Sequence, residues 1–125
     1  MATTTMSHGE YLTQIEHSTI LFPINCYLVR ENDGLTLVDT NWTKVEQPIL
    51  DAARALGAPI RRIALTHVHG DHIGSLDALH QALPDADVLV GAREARLLAR
   101  DFSLDPDEAQ GKVRGDYRVC TTHPT

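Results

Sequence analysis

Apolar and polar residues alternate from the start of the second decade, with Tyr11, Thr13 and Ile15 set against Leu12, Gln14 and Glu16. That period of two is the mark of a strand, and the apolar Ile20-Leu21-Phe22 that follows extends the prediction to one or two short strands. Residues 25–30 and 35–39 are two more β-rich runs. Between them, Glu31-Asn32-Asp33-Gly34 carries an Asp-Gly pair, a strong hairpin signal. The period then changes. Val45, Ile49, Leu50, Ala53 and Leu56 recur at helical spacing, and Gly57 marks the stop. Thr43 with Glu46 fits a capping box, which leaves Pro48 inside the helix; a start just before Pro48 is the alternative. This helix covers one face of the sheet, and Trp42 packs at its entrance or lines a cleft.

Strand and helix then alternate. Residues 60–66 predict a strand with Ile63 and Leu65 buried, and Ser75 caps a helix running to Leu83, where Pro84-Asp85 ends it. Residues 87–91 predict a short strand and 92–100 a helix with Ala95, Leu98 and Ala99 inward. Residues 101–112, with Asp105-Pro106-Asp107-Glu108, read as an acidic surface loop. Residues 1–10 are polar and read as a flexible tail, which leaves 11–125 as one domain.

The whole chain has 125 residues, enough for one buried core, and its 42% hydrophobic and 22% charged residues are ordinary for a globular protein. A net charge of −6 without a basic stripe argues against nucleic acid or an anionic membrane as a partner. Cys26 and Cys120 match no zinc-ribbon or redox spacing, so two reduced, partly buried thiols are expected in preference to a disulfide. With no secretory signal and no bilayer-length apolar run, the expected location is cytoplasmic.

The chemistry concentrates in Thr66-His67-Val68-His69-Gly70-Asp71-His72. On an extended chain, His67, His69 and Asp71 project to one side and His72 to the other. A sharp turn after His69, for which Gly70 supplies the freedom, brings His72 back. Imidazole nitrogens and a carboxylate suit zinc, with iron or manganese next. His80 reads as structural or exposed, and His8 as incidental.

The run resembles the His-x-His-x-Asp-His signature of the metallo-β-lactamase superfamily. Residues 23–29 and 37–40 are similar to that family's early strands, and the likeness covers about residues 11–100. The resemblance implies an α/β fold, the αβ/βα sandwich. Only its first half is expected in this chain: a mixed sheet with helices on one face, the domain truncated and its second half absent. It also implies that His67 and His69 bind a first metal and Asp71 and His72 a second, with two Zn²⁺ in a complete site. Asp71 then either holds or shuttles a proton or is a ligand only, and Asp39 either stands near the metal loop or caps the following turn. The family draws its remaining ligands from later in the chain. His123 stands at a tolerable separation but lacks the Pro-Gly that usually precedes the third histidine.

The expected activity is hydrolysis of an ester, thioester, lactone or lactam in a small-molecule substrate. Two readings compete with it: an iron-dependent enzyme similar to the sulfur dioxygenases, and a catalytically incomplete metal-binding module. Half a sandwich exposes a sheet face, and two copies packed sheet to sheet as a homodimer are one way to cover it.

Overall fold

A computed structural model describes residues 2–125. Six strands lie in sequence order across one sheet: β1 (Ala2–His8), β2 (Leu12–Ser18), β3 (Pro23–Glu31), β4 (Gly34–Val38), β5 (Ile60–Ala64) and β6 (Asp87–Leu89). The first four are antiparallel neighbours; β5 and β6 join in parallel. The parallel joins require crossovers. These are supplied by α1 (Glu46–Leu56) before β5, and by α2 (Gly70–Ile73) and α3 (Leu76–Ala82) before β6; α4 (Ala92–Leu98) follows. The mixed sheet with helices on one face is the architecture expected.

Ile15, Cys26, Leu28, Leu37, Ile63 and Val88 alternate along their strands and meet Ile49, Leu76, Leu79 and Leu98 of the helices in one buried cluster. The intervening Leu12, Tyr27, Val29 and Val38 on the opposite face stay half-buried, and Leu89 is exposed.

Three local expectations are corrected. The presumed tail forms β1, because Thr3, Thr4 and Thr5 are β-branched and the segment pairs residue for residue with β2. Ile20-Leu21-Phe22 is no strand but an exposed turn, with Ile20 95% and Leu21 85% accessible. It is closed by the Thr19 hydroxyl, which donates to Phe22 O and accepts from its N–H. No capping box forms at α1. The helix starts at Glu46, so Pro48 falls in the first turn, where its missing N–H would have had no helical partner. Val45 N–H, ahead of that turn, is satisfied by Ser75 Oγ at 3.0 Å. The expected hairpin forms, its turn at Asn32-Asp33 and Gly34 already in β4 opposite Glu31. A Cβ on Gly34 would lie 2.5 Å from Pro59 O, so the glycine serves close approach.

Candidate metal centre

The histidine run leaves the sheet where β5 ends, tied down on both sides. Leu65 N–H donates to Leu89 O at 2.9 Å, and Val68, fully buried, donates its N–H to Glu94 of α4 at 3.1 Å. His69 is extended (φ −67°, ψ 157°), and α2 then makes a single turn in which the His72 and Ile73 amides reach back to His69 O. That turn returns His72 to the side of His67, their ring centroids 3.9 Å apart. Gly70 is therefore not needed for its φ. A Cβ there would sit 2.5 Å from Asp116 Oδ2, the end of an exposed side chain that can shift.

The segment after β4 is stitched to the same loop. Thr40 N–H and Oγ1 both donate to His72 O at 2.8 Å, and Gly74 N–H donates to Asn41 O at 3.0 Å. Asp39 and Asn41 both adopt φ 64°, a left-handed conformation that Asp and Asn tolerate better than most residues.

His67, Asp71 and His72 each offer one ligand atom, all within 4.8 Å of one another. His69 stands outside this group. Its ring lies edge-on to His67 at 4.9 Å between centroids, and its Nε2 is 3.2 Å from the Tyr117 hydroxyl. Its Nδ1 is the atom left over for a ligand. The structure thus gathers three of the four expected side chains and leaves the fourth beside them. His123 is exposed at the far end of the chain, and His8 is on β1, hydrogen-bonded to Gln14.

Hydrogen bonds decide which imidazole nitrogens face the group. The buried Asp39 carboxylate accepts from His72 Nδ1 at 2.7 Å, so that nitrogen carries the proton and Nε2 keeps its lone pair. Asp39 also accepts the Thr66 amide at 2.8 Å and the Thr66 hydroxyl at 2.7 Å. With its one proton spent on Asp39, the Thr66 hydroxyl can only accept from His67 Nδ1, 3.1 Å away. His67 therefore also presents Nε2. Of the two roles left open for it by the sequence, Asp39 takes the one against the metal loop, where it orients both imidazoles. Burial holds the His67 imidazole below its ordinary range, and the neighbouring His72 and His69 push the same way. A neutral imidazole is the form that binds a cation.

Two nitrogens and a carboxylate oxygen on a turn braced by a buried acid are a donor set that fits a small divalent cation. An open cavity of about 230 Å³ lies beside them, lined by Phe22, Trp42, His69, Asp71 and Asp116. An apolar groove of about 400 Å³ formed by Ile20, Leu21, Ile24 and the same Phe22 and Trp42 adjoins it. Thr66, Tyr117 and Asp116 were absent from the sequence-based set. Thr66 adjoins the motif and could have been suspected; nothing in the sequence brings residues 116 and 117 to it. Burial pushes the Cys26 thiol up to about 12, and burial with the Asp77 carboxylate pushes Cys120 up to about 11, so neither is a thiolate near neutrality. Both are free.

The family model described as Metallo-beta-lactamase superfamily matches residues 19–119. The Bacillus subtilis protein named Uncharacterized protein YobT is 44% identical over 82% of this chain and 44% of its own length. A hydroxyacylglutathione hydrolase of Xanthomonas euvesicatoria is 33% identical over 58% of this chain and 28% of its own. Among solved structures, a metallo-beta-lactamase from Pontibacter korlensis superposes with a TM-score of 0.68 at 21% identity, over 85% of this chain and 51% of that one. The chain therefore spans about half the length of these relatives, or less.

Proposed function

Because this chain belongs to the metallo-beta-lactamase superfamily, we propose that its loop 67–72 is the metal-binding part of a zinc-dependent hydrolase acting on the carbonyl of an ester, thioester, lactone or lactam. The observation that carries this reading is the convergence of His67, Asp71 and His72 under a single orienting carboxylate. Two relatives bear hydrolase names, the hydroxyacylglutathione hydrolase and a probable metallo-hydrolase of Bacillus subtilis, which supports hydrolysis as the reaction class.

His67 and His72 would hold the cation through Nε2 and Asp71 through a carboxylate oxygen, while Nδ1 of His69 is available to a second one. Zinc bound at such a site lowers the pKa of water toward neutrality and polarises a carbonyl. The residues around it do the rest. Asp39, directly and through Thr66, keeps two imidazoles from rotating or changing tautomer. Asp71, at the mouth of the cavity, can take the proton lost by the attacking water. Trp42 and Phe22 wall the cavity on one side and shed water from it.

Zinc titration of the chelator-treated chain tests this. Tight binding is expected for at least one equivalent, with a rise in thermal midpoint that chelation reverses. His67→Ala combined with His72→Ala should abolish both effects. Unchanged metal content in that double variant would defeat the proposal.

A further inference from the structure

A further concavity, about 490 Å³ in volume, is bordered by the segment that covers His69. Its walls include Arg100, Lys112, Phe102, Val113, Gly115 and Tyr117. Two of these also touch the metal loop. The Tyr117 hydroxyl is 3.2 Å from His69 Nε2, and a Cβ on Gly115 would lie 2.2 Å from the same atom. Gly115 and Tyr117 thus border both the concavity and the metal loop.

Its charge is anomalous for this protein. The chain holds 17 acidic against 11 basic residues, yet this wall carries two cations and no carboxylate. Of the acids around it, Asp101 and Asp105 pair with Arg96 and Glu108 with Arg93, while Asp116 lines the cavity at the metal loop instead. Among the described residues, neither Arg100 nor Lys112 forms a salt bridge, while Arg54 and Arg93 each form one and Arg62 and Arg96 two. Arg100 is nonetheless held in place. Its Nη1 donates to Tyr117 O at 2.9 Å, and its guanidinium lies 5.3 Å from the centre of the Phe102 ring. Phe102 and Tyr117 are themselves 5.2 Å apart, and with Val113 they offer an apolar floor beside the two cations.

We infer that this concavity binds an anionic small molecule with a planar apolar body, an aromatic carboxylate, its acid on Arg100 and Lys112 and its ring on Phe102 and Tyr117. A planar guanidinium pairs a carboxylate through two donors, and a ring against aromatic side chains is sequestered from water. As a subsite for the acid-bearing end of the hydrolase substrate, it rests on the reading above; the binding itself does not.

The test uses the chelator-treated chain, so that it is independent of metal. 2-Naphthoate and its neutral counterpart 2-naphthylmethanol are titrated separately while the backbone amides are followed by NMR. Naphthoate is expected to shift the Gly111, Val113 and Gly115 amides and to bind at least about fivefold more tightly than the alcohol, the size of one partly exposed charge pair. Lys112→Gln, on an exposed side chain without a partner among the described residues, and Arg100→Gln should each reduce that preference. Equal affinity for the two probes, shifts confined to other parts of the chain, or a preference untouched in both variants would each overturn the inference. Loss of zinc binding with naphthoate binding retained would defeat only the metal reading.

Discussion

Asp39→Asn keeps the shape of the side chain but turns one of its acceptor oxygens into a donor. Three donors now converge on that carboxylate: His72 Nδ1, the Thr66 hydroxyl and the Thr66 amide. The Thr66 amide meets Oδ1, while His72 Nδ1 and the Thr66 hydroxyl meet Oδ2, so an amide either sets its NH2 against the Thr66 N–H or gives up both bonds that fix the imidazole tautomers. Zinc affinity should fall about 10–100-fold, the usual cost of losing an outer-sphere partner, measured by competition with a chromophoric chelator. Thr66→Val severs only the link to His67 and should cost less. Equal losses in the two variants would show that His72 does not depend on Asp39.

At the scale of elements, the metal loop is gripped by the irregular segment 115–118, which arrives from more than forty residues downstream. Gly70 N–H donates to Asp116 O at 2.7 Å, Tyr117 meets His69, and the Arg118 guanidinium lies 4.3 Å from the centre of the Trp42 ring. Gly115 has φ 125° and no room for a side chain against His69, whereas Gly111 has nothing within 4 Å of a built Cβ. Gly115→Ala should destabilise the chain by about 1–3 kcal/mol, and Gly111→Ala should leave the thermal midpoint nearly unchanged. A similar midpoint for the two variants would mean that the segment is not packed on the loop. The grip continues at α3. Burial there pushes the Asp77 carboxyl up, but hydrogen bonds from the Thr122 hydroxyl, the Cys120 thiol and the Thr121 and Thr122 amides outweigh it and bring it down to about 2. A lowered carboxyl contributes stability that is complete above its ordinary value of 3.8 and is lost as the pH falls toward about 2. Asp77→Asn should remove that part of the acid dependence, read from denaturation midpoints across the window.

At the scale of the whole molecule, the sheet is unevenly used. One face is sealed by the helices, and the other shows half-buried Leu12, Tyr27, Val29 and Val38 with exposed Met6 and Leu89. Such a face favours association. Sedimentation velocity should show a concentration-dependent dimer of the 125-residue chain, weakened by Leu89→Lys. A single monomeric species at every concentration would exclude the sheet-to-sheet pairing.

Local chemistry alone settled the alternation of strand and helix from β3 to α4, the β3–β4 hairpin and the exit of β5 into the histidine loop. Each of these depends on neighbours a few residues apart, where hydrophobic period, turn residues and ligand spacing act directly. The alternation in residues 11–18 was legible for that reason, while β1 was not, because Thr3-Thr4-Thr5 becomes a strand only when β2 lies beside it. The turn of Ile20-Leu21-Phe22 misled in the opposite sense: three apolar residues imply burial, but nothing among the described residues covers Ile20 and Leu21. Only tertiary structure decided which nitrogen each imidazole presents, the separation of His69 from its three companions and the arrival of Tyr117 at the loop. Those outcomes depend on hydrogen bonds between residues 27 to 48 positions apart, and no local pattern encodes a contact that exists only after the sheet has been assembled.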